Sequence, residues 1–490
     1  MEPTPLDDLA AHAHETHVVV VGGGIGGLVA AHACAKVGIR VTVLEASDRL
    51  GGAVRTIDLA GVRVDLGAEG YATRGGAVRG LVDELDLTDA VALTAPRAEW
   101  ISGLPGGAAP VPQGTVRGIP ENPWEESIRR VIGRRGTWRA YLDRLRPPLT
   151  IGQERSLGRL VRTRMGELVL DRLVAPLSLG GFSIHPDDVD VELVAPGLNA
   201  ALTRTGSLAG AVMQLRADRG PKPAGDGLEG IDGGMSRLID ALHDRLRTLG
   251  AEVRLQSPVD ALERRDDGRW YVRIAARGPV DGEEIDIADA VILAAGADEA
   301  HRLLAVVVPA LERTPVTVLE VVTLVVESAA LAGAPARTAV YPVPGTAVAA
   351  SVTDSTARWP WMSKDAQPRT RVLKVTFGGP GTPPATAELD DDAAAALALA
   401  EASALLDARL EAAHLRGSHR ARWLQPPPVS ALGRADAADA ARSAIHAIPG
   451  LAVVGAWVAG TGLAQVVPDA IAEAERIRRH ALWGDADERT

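Results

Sequence analysis

The sequence predicts an α/β protein: a Rossmann-like domain, discontinuous along the chain, joined to an α+β domain that carries a helical insertion. Three observations lead there. Within the run His17–Val21 the four valines are apolar and β-branched, as a strand buried on both faces must be, and the run empties directly into "GGGIGG". A small-residue helix, "LVAAHACAKVG", follows and ends at Gly38, and the strand "RVTVLE" completes a βαβ unit. Two further buried-strand patterns, "ADAVILAAG" (288–296) and "LAVVGAW" (451–457), lie far downstream and return the chain to the same sheet.

The other elements fill in around this frame. Residues 51–72 alternate as short strands, and 76–96 read as a helix followed by a loop. Residues 97–227 are expected to be mostly helical, with proline-rich breaks at 105–123 and 147–148, and "GPKPAGDG" (220–227) is a linker. "GGMSRLIDALHDRLRTLG" (233–250) is a helix set between glycines, leading into the strand "AEVRLQSPV". Two more strands follow, the first pair separated by the polar turn "RRDDGR" (264–269). Residues 315–327, 338–353 and 371–378 read as long strands of a second sheet. "DDDAAAALALAEASALLDARLEAA" starts with acids that suit a helix dipole, and "VVPDAIAEAERIRRHAL" is a last helix. The first domain is thus assembled from 17–75, 228–300 and 445–482. The second takes 76–227 and 301–444, with a helical part at 120–215.

Composition narrows the function. The 490 residues suit two or three domains, and 46% hydrophobic with 23% charged residues is ordinary for a soluble globular chain. Aromatics are 3%, so aliphatic residues and alanine must fill the core. A net charge of −11 argues against nucleic acid or an anionic membrane surface as partner. The one cysteine, Cys34, excludes an intramolecular disulfide and a cysteine-ligated cluster, and no metal site is expected. The N-terminus lacks the basic and apolar regions of a signal peptide, and no apolar run is long enough for a membrane span. A cytoplasmic enzyme is the expectation. Lysine occurs only at 36, 222, 364 and 374, which leaves few for catalysis.

Gly22, Gly24 and Gly27 form G-x-G-x-x-G. The first allows a tight turn, the second lets backbone approach a pyrophosphate, and the third lets the helix pack on the sheet. Glu45, at the end of the next strand, is placed to accept ribose hydroxyls. A nicotinamide-binding fold would continue there into a crossover helix. Instead "EASDRLGGAVRT" (45–56) makes a second glycine turn at Gly51-Gly52, with Arg49, Arg55 and Thr56 beside it. That turn gives backbone room beside a pyrophosphate and the middle of a flavin, and the two arginines are placed to neutralise phosphate or the flavin's polar edge. At the far end "VVGAWVAGTGLAQVVPDAIAEA" (453–474) is a strand, a glycine turn and a helix. If its N-terminus faces a flavin pyrimidine, the N–H groups of Gly462 and Leu463 stabilise negative charge at N1/O2.

The order of these motifs resembles the FAD-dependent amine-oxidase-like flavoproteins. G-x-G-x-x-G, "DRLGGAVRT", "VDLGAEGY", "GGMSRLIDAL", "SPV", "ADAVILAAGA", "ARW" and the C-terminal glycine turn recur in this order over roughly 17–480. Within them, "APRAEWISG…PVPQGTVRGIP", "ERSLGRLVRTRMGELVLDRLVAPLSLGGFSIHPDDV" and "SVTDSTARWP" are similar to protoporphyrinogen/coproporphyrinogen oxidases of actinobacterial type. The resemblance implies FAD contacts at Gly22, Gly23, Gly24, Ile25, Gly26, Gly27, Glu45 and Ala46, with Arg49, Gly52 and Ala53. It continues them at Gly67, Ala68, Glu69, Gly70, Val259, Trp423, Thr461, Gly462 and Leu463. It places a propionate-binding arginine at Arg97, whose guanidinium suits a carboxylate by bidentate bonding.

The implied activity is oxidation of coproporphyrinogen III to coproporphyrin III in haem biosynthesis. Hydride passes to flavin N5, electrons go on to O₂, and each turnover releases peroxide. The protein's task is to hold the ring near N5 in an apolar slot, so no general acid or base is assigned. Four substrate carboxylates call for further arginines, and Arg74, Arg117, Arg162 and Arg164 are available. Two departures bear on substrate identity. "WLQPPPVSALG" (423–433) lacks the family's "PQY" and following His, and the C-terminal turn lacks its acidic residue and later Cys. The alternatives are protoporphyrinogen IX, another amine-oxidase-like or phytoene-desaturase-like oxidation, and a non-catalytic flavoprotein. An amine oxidase would want a Lys by N5 and an aromatic cage, for which this chain is poorly equipped.

Overall fold

Five short strands form a wholly parallel sheet in the order Glu252–Arg254, Arg40–Leu44, His17–Val21, Ala290–Leu293 and Leu451–Val453. They belong to a computed structural model that describes residues 13–96, 98–146, 154–219, 227–275, 284–333, 336–365 and 369–483. The N-terminal strand is central, and all five of its residues are buried, because both sheet faces are covered. Val18 and Val20 face a core shared with the helices Ile25–Ala35, Ser236–Thr248 and Leu463–Trp483. Val19 and Val21 face the other side, toward the strands Val259–Arg264 and Trp270–Ile274 and the helices Ala297–Leu304 and Arg434–His446. Period-2 alternation along a single strand therefore serves two cores.

The second sheet has seven strands, ordered Leu415–Gln425, Thr317–Glu327, Thr370–Phe377, Ser351–Asp354, Ala339–Pro342, Glu99–Ser102 and Ala109–Pro110. Val322, Leu324 and Val326 pack on the helix Asp391–Leu406, whereas Val325 packs on Val62, Val64 and Trp359. One face of this sheet thus lies against the hairpin Thr56–Leu59/Val62–Asp65, which directly follows the second glycine turn. The helices Glu126–Tyr141, Leu157–Arg164, Ala175–Phe182, Leu198–Thr205 and Leu208–Arg219 belong to a further packed region, most of its core being aliphatic side chains.

Three expectations need correction, and one strand was not expected. Residues 97–227 are not mostly helical at their start: Glu99–Ser102 and Ala109–Pro110 join the large sheet, and Thr115–Val116 pairs with Ile119–Pro120. The stretch 338–353 is two strands around a turn at Pro344-Gly345, where Gly345 takes φ +80°. The strand at 451 stops at Val453, because Gly455 turns the chain at φ +112° into the short helix Ala456–Ala459. Strand Leu415–Gln425 went unpredicted: its edge position tolerates Arg416, Arg420 and Arg422, which masks the apolar pattern. The break at 147–148 and residues 220–226 of the linker lie outside the described residues.

Candidate active site

The site begins where the first strand ends. Gly22 donates its N–H to Leu44 O (2.8 Å) at φ +111°, and a β-carbon there would stand 2.6 Å from Ala294 O. A β-carbon on Gly27 would overlap the carbonyl of Gly22. These two glycines are required by packing alone. Gly24 differs: a β-carbon on it would meet nothing within 4 Å. It is the N-cap of the helix Ile25–Ala35, no side chain caps that helix, and its first turn carries no acid. Uncapped amides therefore look onto open space at the positive end of a helix dipole.

Glu45 is fixed beside this cradle. It accepts from Gly23 N–H (2.6 Å), Ser47 N–H (2.8 Å) and Ser47 Oγ (2.7 Å). The second glycine turn is stitched to the first through Gly51 N–H donating to Gly23 O (2.8 Å). Among the described residues the Arg49 guanidinium makes only long bonds, of 3.3–3.4 Å, to the carbonyls of Leu50 and Gly52. Burial, then the charge of Arg55, lowers its affinity for a proton. Two cations crowd one turn, which an anion would relieve. Ala46, Gly52 and Ala53 are exposed at its rim.

The chain then brings Ala53 onto the turn 67–70. Ala68 N–H donates to Ala53 O (3.1 Å), and a β-carbon on Gly67 would overlap that same oxygen. It would also stand 3.4 Å from the Trp423 ring, so the large sheet reaches this turn. The Glu69 carboxylate is spoken for. It takes Lys374 Nζ (2.6 Å) and Ser355 Oγ (2.5 Å) on one oxygen and Trp359 Nε1 (3.1 Å) on the other. Burial alone would raise its pKa, but Lys374 and then Arg358 bring it down to about 2. What Glu69 can offer a ligand is therefore its backbone. Gly70 is held by Trp359, whose ring would lie 2.7 Å from a β-carbon there.

The C-terminal corner closes on the N-terminal one. A β-carbon on Gly26 would lie 3.2 Å from Val466 Cγ1 and 3.4 Å from Gly455 N. The helix Leu463–Trp483 starts immediately after Gly462, again without an acid in its first turn. Thr461 is exposed, Gly462 half-buried and Leu463 buried. Val259 packs with Val21, Leu44 and Leu293 at the ends of the parallel strands. Arg97 lies outside the described residues.

Of the other arginines considered, two are structural. Arg164 is buried in an ion pair with Asp143 and donates to Gly206 O (2.9 Å). Arg162 holds both oxygens of Asp187 (3.0 and 3.1 Å) and also meets Glu167. Arg117 donates to Val194 O (3.2 Å) and lies over the Phe182 ring (5.3 Å). Arg74 is exposed. Sequence reasoning missed the Lys374–Glu69 pair, since nothing in local spacing ties residues so far apart. Among the described residues no cluster of acids, His and Cys is arranged to hold a metal, and no helix is long and apolar enough to cross a membrane.

A flavin dinucleotide fits these residues: an open glycine, the uncapped start of helix Ile25–Ala35, a second helix start without an acid in its first turn, and two crowded guanidiniums. Comparison with known proteins agrees. The family described as flavin containing amine oxidoreductase matches residues 25–478. A coproporphyrinogen III oxidase of Mycobacterium tuberculosis (strain H37Rv) is 29% identical over 460 residues, 91% of this chain and 93% of that one. Its counterpart in Propionibacterium freudenreichii is 30% identical over 346 residues, 64% of this chain and 63% of that one. The fold matches a crystal structure from Exiguobacterium sp. 255-15, provisionally named protoporphyrinogen oxidase. Its TM-score is 0.81 and its identity 24%, over 94% of this chain and 98% of that one.

Proposed function

The chain belongs to the flavin containing amine oxidoreductase family and is an FAD-dependent oxidase, and from that premise we propose that its substrate is a porphyrinogen. Coproporphyrinogen III is the preferred substrate and coproporphyrin III the product, as a step of haem biosynthesis. Relatives of that name align across nearly the whole chain, and this is the observation that carries the reading. Three dehydrogenations remove six hydrogens from the ring system, three O₂ accept them, and three H₂O₂ leave.

FAD supplies the two-electron acceptor. The protein's share is binding and orientation. Gly22–Gly27 and Glu45 take the dinucleotide half, Arg49 its charge, and Ala53, Gly67–Gly70, Val259 and Trp423 its middle. Thr461–Leu463 set helix N–H groups where negative charge develops. Arg97 takes a substrate carboxylate. No side chain is needed as general base, because loss of pyrrole protons can run through the substrate and water. Lys374, whose ammonium is bound to Glu69, is not free for the role an amine oxidase gives its lysine.

The test is the purified protein's visible spectrum, followed by anaerobic mixing with coproporphyrinogen III. Bleaching of the flavin bands and the growth of porphyrin fluorescence are the expected results. Admission of air should restore the flavin and yield peroxide. A yellow protein that is inert to both coproporphyrinogen and protoporphyrinogen would overturn the substrate and keep the family.

A further inference from the structure

The short helix Ser355–Arg358 is bolted to the turn 67–70. Its first residue, Ser355, and Trp359 beyond its end both hydrogen-bond to Glu69. The Trp359 ring is clasped between Gly70 and Gly230, where β-carbons would stand 2.7 and 2.8 Å from it. Residues three and four apart share a helix face. Arg358, three after Ser355, therefore emerges on the Glu69 side, and its charge adds to that of Lys374 at the Glu69 carboxylate.

Arg358 is nevertheless not Glu69's partner. Both Glu69 oxygens are occupied by Lys374, Ser355 and Trp359. Among the described residues no carboxylate lies within ion-pairing distance of the Arg358 guanidinium; Asp354, its neighbour in sequence, faces Arg371 at 3.6 Å instead. The residue is half-buried, so its five donors are partly withdrawn from water without an acceptor among the described residues in exchange. Its carbonyl meanwhile accepts from Ala95 N–H (2.8 Å), which ties it to the segment leading to Arg97. Arg358 thus sits in a short stretch tied to the candidate flavin turn through Ser355 and Trp359 and to Ala95, two positions before Arg97 in the sequence, through its own carbonyl.

Resting on the porphyrinogen reading above, we infer that Arg358 is a second carboxylate-binding residue of the substrate site. It supplies the additional cation that a substrate with four carboxylates requires, a role Arg162 and Arg164 cannot fill because Asp187 and Asp143 already hold them. A planar guanidinium bonds a carboxylate bidentately, and lysine keeps the charge without that geometry.

The experiment compares wild type, Arg358→Gln and Arg358→Lys as holoenzymes. Binding of coproporphyrin III and of its tetramethyl ester is read by quenching of protein fluorescence, and turnover of coproporphyrinogen III is measured alongside. Arg358→Gln should weaken binding of the acid about tenfold or more while leaving the ester unchanged. Its KM should rise with kcat nearly kept, and Arg358→Lys should recover part of the loss. Flavin absorbance should not move. Equal binding of the acid by wild type and Arg358→Gln, or equal losses for acid and ester, would overturn the inference. So would a wild type that binds neither porphyrin. A wild type that binds coproporphyrin III through Arg358 yet oxidises no porphyrinogen would sink the proposed reaction and leave this binding site standing.

Discussion

Gly67 rests on the carbonyl of Ala53, so closely that no β-carbon fits between them, while Gly24, in the turn beside them, faces empty space. The two glycines therefore serve different ends. Gly67→Ala must displace backbone and should cost ~1–3 kcal/mol or more of stability. Gly24→Ala has an ordinary φ of −69° and no steric conflict inside the protein. It should fold with an unchanged melting temperature as apoprotein but bind FAD at least ~tenfold more weakly, because the methyl fills the space a pyrophosphate would enter. Thermal unfolding of the apoproteins and flavin titration separate the two. A Gly24→Ala protein with full FAD affinity would remove the crevice from this assignment.

Cys34 lies within the first helix, fully buried, and burial pushes its thiol up to about 12. The thiolate is the reactive form, so the native protein should ignore Ellman's reagent for hours at pH 8. One equivalent should react at once in guanidinium chloride, since the chain has a single cysteine. Rapid native labelling would mean that the helix Ile25–Ala35 opens readily.

Much of the candidate nucleotide end was legible because its constraints are local. Gly22, Gly24, Gly27 and Glu45 lie within one βαβ unit, and a strand–turn–helix pattern fixes where each points. The parallel strands were legible for a related reason: burial on both faces leaves an unbroken apolar run, here the four valines that follow His17. The large sheet was less so. Its edge strand Leu415–Gln425 carries three arginines, one of which, Arg420, reaches the carbonyls of Thr386 and Leu389 in the segment before the helix Asp391–Leu406. The Glu69–Lys374 pair, and an Arg358 guanidinium with no carboxylate partner among the described residues, depend on the turn 67–70 meeting a strand and a short helix much later in the chain, which no window of sequence encodes.

The two arginines of the helical part should respond very differently to removal. Arg164 and Asp143 are both almost wholly buried, and burial raises the Asp143 carboxyl against the pull of Arg164. Arg164→Ala leaves an unpaired acid inside and should cost ~3–5 kcal/mol. Arg162→Ala breaks a pair whose side chains are 36% and 33% exposed and should cost under ~1 kcal/mol. Urea denaturation checks both. Neither variant should raise KM for a tetracarboxylate, and a rise specific to Arg162→Ala would return that residue to the substrate site.

Glu69 and Asp65 make opposite contributions to stability as pH changes, and both can be read out. Burial opposes the Glu69 charge, yet Lys374 and then Arg358 hold its pKa at about 2, below the unfolded value of roughly 4.3. Its contribution is therefore complete above the unfolded value and is lost as pH falls from there toward 2. Asp65 accepts from Thr56 Oγ1 (2.6 Å) and Met235 N–H (2.9 Å), but burial, its largest influence, raises it to about 6. The fold favours its neutral form, so that contribution is complete below the unfolded value of roughly 3.9 and fades as pH rises through 6. Glu69→Gln should flatten the acid limb of unfolding free energy below about pH 4, and should cost ~3–5 kcal/mol at pH 7 by stranding Lys374. Asp65→Asn should flatten the limb between about pH 4 and 6 and cost little at neutral pH, since the amide oxygen can keep both hydrogen bonds. Urea unfolding from pH 3 to 8 measures each limb. A Glu69→Gln protein with the wild-type slope below pH 4 would show that the Lys374 pair does not hold the turn 67–70 against the large sheet.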